Sequence, residues 1–249
     1  MAAATAPTVL HAPAKLTLGL RVTGVRADGL HLVDAEMVTL DLADTLTLRP
    51  GDGLEVEEAA SGLPVPATDD NLVRRALAAV GRTARVHLVK RIPAGGGLGG
   101  GSADAAAILR WAGVTDPGVA AALGADVPFC VVGGRARVTG VGEVVEPLAH
   151  RDATYTLVVP PFGCATPAVY RAWDEMGGPE GASGNDLEPA ALRVEPRLAR
   201  WRDALGEATG EVPVLAGSGS TWFVPGAHPA PTHIVVRTVS SSEQAPRSS

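Results

Sequence analysis

The stretch Pro93-Ala94-Gly95-Gly96-Gly97-Leu98-Gly99-Gly100-Gly101-Ser102, running into Ala103-Asp104-Ala105-Ala106-Ala107, carries the reading of this chain. Six glycines among ten residues forgo side-chain packing, and each is about 0.5–1 kcal/mol less favourable than alanine in regular structure. Close approach of the backbone to a ligand is the usual compensation. The loop enters an alanine-rich helix, with Ser102 read as its N-cap and Gly113 as its stop. Free backbone N–H groups and the positive end of the helix dipole make that junction a cradle for an anion. Phosphate is the natural guest.

Three phosphate loops share this appearance, and details separate them. A Walker loop needs Gly-Lys-Ser/Thr, whereas Gly101 passes directly to Ser102 with no lysine between. Gly95, Gly97 and Gly100 satisfy G-x-G-x-x-G, a weak match in so glycine-rich a stretch. A dinucleotide loop follows a buried strand at the start of a βαβ unit. Here Val86-His87-Leu88-Val89 ends in Lys90-Arg91-Ile92-Pro93, whose charges suit a surface turn. A flexible interdomain linker would lack the alanine-rich helix that follows.

The 249 residues suit one large domain or two small ones, with ample apolar content for a core. A net charge of −6, with basic residues scattered, argues against a nucleic-acid partner. Cys130 and Cys164 are too few for a disulfide framework or a zinc cluster. Met1 to Val9 lacks the basic start and apolar run of a signal peptide. No segment approaches the ~20 apolar residues of a membrane span. The expectation is a cytoplasmic enzyme acting on a small molecule, as a monomer or homodimer, with no membrane or nucleic-acid partner.

Alternation at Leu16, Leu18, Leu20 and Val22 predicts a strand, and Asp28-Gly29 a hairpin turn after it. Further strands are expected at Val33–Leu40, Asp44–Leu48, Leu54–Val56, Arg85–Val89, Arg135–Val138, Tyr155–Val159, Thr221–Val224 and Ile234–Val236. Asp69-Asp70-Asn71 caps a helix that buries Leu72, Val73, Ala76, Leu77 and Val80. Other helices are expected at Pro117–Leu123, Pro167–Met176, Pro189–Leu192 and Pro196–Ala204. The pattern restarts near residue 152, which divides the chain into domains at 1–151 and 152–239 with a frayed polar tail at 240–249. Strands and helices mix without strict alternation, so the class is α+β.

Four segments read together are more specific. Ala12-Pro13-Ala14-Lys15-Leu16-Thr17-Leu18, the glycine loop, Leu123-Gly124-Ala125-Asp126-Val127-Pro128 and Gly217-Ser218-Gly219-Ser220 stand in that order. The chain thereby resembles the GHMP kinase superfamily over about residues 12–224. Arg26-Ala27-Asp28-Gly29-Leu30-His31 and Asn185-Asp186-Leu187-Glu188 narrow the resemblance to the branch that phosphorylates 4-diphosphocytidyl-2-C-methyl-D-erythritol, a non-mevalonate isoprenoid intermediate. It implies a ribosomal-protein-S5-domain-2-like N-terminal domain, a shortened ferredoxin-like C-terminal domain, ATP as phosphoryl donor and Mg2+. The alternatives are a related kinase acting on another small alcohol, a catalytically silent nucleotide-binding homologue, and a Rossmann oxidoreductase.

Phosphoryl transfer to a hydroxyl needs positioning, charge neutralisation and an acceptor for the hydroxyl proton. Asp126, between a helix-stopping glycine and a proline, is either that acceptor or a helix cap, and the resemblance assigns it as the base. Lys15 in an apolar strand either snorkels to the surface or stabilises a developing alkoxide beside Asp126, the role the resemblance implies. By resemblance the ATP site comprises Pro93, Ala94, Gly95, Gly96, Gly97, Leu98, Gly99, Gly100, Gly101 and Ser102, with Asn71 and Lys90 around the nucleotide. Asn71 is also a simple helix cap, and Lys90 also a solvated surface lysine. Capping by Ser102 is compatible with contact to phosphate or magnesium. The resemblance places Thr17, Leu30, His31, Gly217 and Ser218 at the substrate, although an exposed histidine and a plain hairpin turn are the ordinary readings.

Three departures from the family pattern stand out. Leu30 replaces a tyrosine that contacts the cytidine, with loss of stacking of about 0.5–1.5 kcal/mol. Thr17 replaces asparagine and lacks the amide donors. Between Val224 and Ile234 the chain is too short for the family's helix, which should leave one face of the C-terminal sheet less covered, or open to a partner.

Overall fold

The computed structural model describes residues 6–59, 63–114 and 116–244. Strands β1 (Thr8–Val25) and β2 (His31–Arg49) form one long antiparallel hairpin. The separate strands expected at Val33–Leu40 and Asp44–Leu48 are thus one continuous strand. The far edge of β2 is shared, since residues 33–38 pair with β5 (Arg135–Gly140) and residues 45–49 with β4 (Arg85–Lys90). Parallel pairing of β3 (Gly53–Glu58) with β4, and of β6 (Val144–Leu148) antiparallel with β5, completes a six-stranded sheet. Register shifts at Pro13/Lys15, Thr17/Gly19 and Val22/Gly24 interrupt the β1–β2 ladder. Bulges of this kind bend a strand and re-aim its side chains. The Lys15 amide donates instead to the Leu98 carbonyl at 3.0 Å, tying β1 to the glycine loop.

Helix α1 (Leu72–Ala79) starts where Asn71 accepts from the Val73 amide at 2.9 Å. Helix α2 (Gly100–Ala112) packs against β1, β2 and α1, and residues 103–109 are all buried. Its alanines permit that close burial on every side. Gly99, at φ 69°, occupies the N-cap position, so Ser102 lies within the first turn and is not the cap. The left-handed backbone at Gly97 and Gly99 winds the chain into helix earlier than the serine signal suggests. Gly113 ends α2 as expected, again left-handed. Helices α3 (Pro117–Leu123) and α4 (Val127–Val132) follow.

The entry to the loop is buried rather than a surface turn. Lys90 and Ile92 are both shielded from solvent. The Lys90 ammonium donates to Asp44 of β2 and, at 2.7 Å, to Asp104 of α2. Asp44 also accepts from the Arg91 and Ile92 amides at 2.5 and 2.8 Å. Among the described residues Asp104 accepts from Lys90 alone, and its Oδ1 is buried without a partner. One ammonium cannot neutralise two buried carboxylates, and the poorly bonded one yields. Burial pushes the Asp104 carboxyl up to about 7, against the pull of Lys90 and aided by the charge of Asp44. Burial also opposes the charge on Lys90, but the two carboxylates outweigh it and hold the amine above its ordinary range.

A second, antiparallel sheet has the order β10 (Ile234–Arg237), β7 (Thr154–Val158), β9 (Trp222–Pro225), β8 (Val214–Leu215). With it go α5 (Thr166–Glu175), α6 (Glu188–Val194) and α7 (Leu198–Thr209). Asn185 and Asp186 staple this half to β1. The Asn185 amide donates to the Leu215 and Gly217 carbonyls at 2.8 and 2.7 Å. Asp186 accepts from Arg21 Nη1 at 2.6 Å and the Val22 amide at 3.0 Å.

The open sheet face expected from the missing helix is not seen. Cross-strand pairs Thr156/Val224 and Leu157/Phe223, on opposite faces, are all buried. Residues 226–228 fold back onto strand β7. Thr156 Oγ1 donates to the Gly226 carbonyl at 2.9 Å and accepts from the His228 amide at 2.9 Å. In the tail, Ser241–Gln244 form a 3-10 turn, and residues 245–249 lie outside the described residues. No helix among the described residues is long and apolar enough to cross a membrane.

Two outcomes are expected from this packing. Thr156→Val keeps the shape but leaves Gly226 O and His228 N unpaired, which should destabilise the protein by about 1–3 kcal/mol. Chemical denaturation would read this, and an unchanged midpoint would mean the segment is not held by that hydroxyl. For Asp104 the folded-state carboxyl is raised from the ordinary 3.8 to about 7. Its contribution is therefore complete below pH 3.8 and lost as pH rises through about 7. Denaturation at about pH 5 and about pH 8 should show a smaller drop in stability for Asp104→Asn than for the unsubstituted protein. Equal drops would show that Asp104 holds no proton.

Candidate active site

The glycine loop separates two cavities that share Gly95 and Gly97 on their walls. The smaller, about 290 Å³, is lined by Asn71, Lys90, Asp104 and the run from Pro93 through Ala94, Gly96, Leu98 and Gly99 to Gly101. The larger, about 700 Å³, is lined by Lys15, Thr17, Ser102 and Asp126 together with Leu30, His31, Gly217 and Ser218. All the site residues expected from the sequence therefore lie on one or other side of this loop.

Neither expected polar contact in the smaller cavity is free. The Asn71 side chain caps α1 and donates to the Pro66 carbonyl at 3.0 Å, so it shapes the wall. Lys90 is not solvated; it is held by Asp44 and Asp104 beneath the loop. At Gly97 and Gly99 the loop leaves no room for a side chain. A β-carbon on Gly97 would stand 2.7 Å from the Ala216 and Gly219 carbonyl oxygens. One on Gly99 would stand 2.7 Å from Lys15 Cγ. The second glycine turn is therefore more than a hairpin tip. It packs backbone to backbone on the first, with the Thr221 amide donating to the Gly96 carbonyl at 3.1 Å.

In the larger cavity Lys15 does not snorkel. Its stem crosses Gly99, and the buried ammonium donates to Thr17 Oγ1 at 3.1 Å and lies 3.3 Å from Asp126 Oδ2. Asp126 sits at the N-cap position of α4 but makes no capping hydrogen bond. Its carboxylate, one-third exposed, is turned to the lysine and the cavity. Thr17, where an amide was expected, serves here as the acceptor for Lys15. Ser218 Oγ lies 2.8 Å from Thr166 Oγ1 at the C-terminal wall.

His31 is not exposed. Its Nε2 lies 2.8 Å from Asp174 Oδ1, its ring is 4.5 Å from that of Tyr170, and Trp173 meets its edge at 5.7 Å. Leu30 lies beside it, half exposed. Tyr170, Trp173 and Asp174, all on α5, were not expected at the site. Their only sequence signal is the helical spacing i, i+3, i+4, which looks the same for a plain core helix. Burial, with the Asp126 charge adding, pushes the Tyr170 phenol up to about 12, so it stays neutral. The arrangement offers an aromatic end for a planar ring, a lysine–carboxylate pair at the centre, and backbone N–H groups at the α2 terminus for phosphate.

The family described as GHMP kinases N terminal domain matches residues 71–134. A 4-diphosphocytidyl-2-C-methyl-D-erythritol kinase of Paracoccus denitrificans is 41% identical over 232 residues, 85% of this chain and 84% of that protein. One of Xanthomonas axonopodis pv. citri is 40% identical over 238 residues, covering 86% and 80%. A crystal structure of 4-(cytidine 5'-diphospho)-2C-methyl-D-erythritol kinase aligns with a TM-score of 0.70 at 34% identity, over 89% of this chain and 91% of that one. Homoserine kinase from Cytophaga hutchinsonii, at 17% identity and a TM-score of 0.57, shares the fold alone. With relatives this similar over most of its length, the chain belongs to the 4-diphosphocytidyl-2-C-methyl-D-erythritol kinase family of the GHMP kinases.

Proposed function

We propose that this protein transfers the γ-phosphoryl group of ATP to the 2-hydroxyl of 4-diphosphocytidyl-2-C-methyl-D-erythritol, in the cytoplasm. The observation that carries the reading is the Lys15–Asp126 pair, 3.3 Å apart on the larger cavity, with the glycine loop as the wall to the smaller one. Donor and acceptor then occupy opposite sides of one loop. In this reading residues 1–151 form the ATP-binding and catalytic domain and residues 152–239 close the substrate side.

Triphosphate lies along the loop, where close backbone approach and the α2 N-terminus hold its oxygens. Asp126 accepts the proton as the substrate hydroxyl attacks the γ-phosphorus, and the bond to the β,γ-bridging oxygen breaks to release ADP. Lys15, held by Thr17, stabilises the alkoxide as charge develops on it. Ser102 Oγ and the phosphate oxygens are hard donors of the kind magnesium takes. When bound there, that ion would neutralise phosphate charge. Ser102 would hold it together with the phosphate oxygens and several waters. The cytosine end is read at His31 and Tyr170, and the Tyr170 ring supplies the stacking surface that Leu30 lacks.

Asp126→Asn should leave ATP affinity nearly intact and lower kcat by roughly 10²–10⁴-fold. Lys15→Ala acts on the same step, so the double variant should lose far less than the product of the single losses. ADP release with the cytidylated substrate reads both, and a fully active Asp126→Asn enzyme would remove the base assignment. Gly99→Ala pushes on the Lys15 stem from a left-handed position. It should lower kcat by about 10²-fold, the scale of a 1 Å misplacement. Normal turnover in that variant would show that the Lys15 path over Gly99 has no bearing on catalysis.

A further inference from the structure

The aromatic end of the larger cavity contains a polar contact that phosphoryl transfer does not use. His31 Nε2 and Asp174 Oδ1 are 2.8 Å apart. A carboxylate can only accept, so the proton on this edge of the ring belongs to Nε2. In the neutral imidazole Nδ1 then carries a lone pair. Nδ1 makes no hydrogen bond to any described residue, and His31 lines the cavity. Tyr170 at 4.5 Å and Trp173 at 5.7 Å hold the ring on two sides, so it cannot readily turn over.

We propose that Asp174 is a positioning residue that sets base specificity, by fixing His31 as an Nε2–H tautomer whose Nδ1 lone pair faces the pyrimidine. The inference rests on the reading of this end of the cavity as the seat of the cytosine. Cytosine presents an exocyclic 4-amino donor, which the Nδ1 lone pair accepts. Uracil presents a 4-oxo acceptor at the same place, and two acceptors then face each other. A site built around one hydrogen bond rejects the analogue that cannot make it. The Asp174 side chain is 49% exposed, so its replacement leaves the core untouched.

The test is calorimetric binding of CDP and of UDP to the full-length protein, with Asp174→Leu and Asp174→Asn alongside. The unsubstituted protein should prefer CDP by about tenfold or more, the equivalent of one net hydrogen bond. Asp174→Leu frees the tautomer and should bring the preference to within about twofold. Asp174→Asn retains an acceptor for Nε2–H and should keep most of the preference. Equal weakening of both nucleotides in Asp174→Leu, with their ratio unchanged, is what a merely structural role would give and would overturn the proposal. So would UDP binding as tightly as CDP in the unsubstituted protein. Phosphoryl transfer to the cytidylated substrate is measured separately. Transfer with no CDP preference sinks this inference alone, whereas no transfer and no binding of either nucleotide removes the functional reading with it.

Discussion

Everything at this site depends on a backbone that passes where no β-carbon fits. At Gly97 the chain runs under the carbonyls of the second glycine turn, and at Gly99 under the Lys15 stem. Both neighbours press on a single strip of peptide. The same strip turns left-handed at Gly97 and Gly99 and delivers α2 with its amino end free. A side chain at either position would part the walls of both cavities. Conformational freedom and absence of bulk are thus needed at the same residues, and glycine alone combines them.

The loop is positioned from beneath by ionic chemistry and from above by hydrogen bonds to backbone. Beneath it, Lys90 is locked between Asp44 and Asp104, so the nearest lysine in sequence is structural rather than a free cation for phosphate. Breaking such a buried cluster by removing one member is more damaging than its net contribution suggests, because a buried charge is left uncompensated. Above it, Asn185 gathers the Leu215 and Gly217 carbonyls and brings the second glycine turn onto the first. The Asn185-Asp186 pair is therefore a staple between halves of the molecule. Its carboxylate accepts from Arg21 and the Val22 amide on β1, the strand that also carries Lys15.

The C-terminal sheet shows how a shortened chain keeps its core dry. No helix forms between Val224 and Ile234, and one threonine hydroxyl satisfies both a carbonyl and an amide of that segment. Thr156 can do this because a hydroxyl donates and accepts at once. The sequence between Val224 and Ile234, rich in proline, glycine and histidine, needs no apolar stripe to make this contact.

By itself the sequence determined the local chemistry. The glycine run ending in an alanine helix, the stop at Gly113, the Asn71 cap and the α+β mix were all legible, because each rests on backbone preferences within a few residues. The order of the four motifs was enough to indicate the family. Tertiary structure alone decided which side chains meet. Nothing near Lys15 announces that it will abandon the surface for Asp126, and nothing near His31 points to Asp174, 143 residues away. The continuity of β2 was hidden because its second edge is divided between two distant segments, β4 and β5. The burial of Lys90 was hidden because its counter-charges lie on another strand and a helix. Local preference is written in neighbouring residues, whereas partnership between distant charges is set by how the strands bulge and the helices pack. That geometry exists only once the chain has closed on itself.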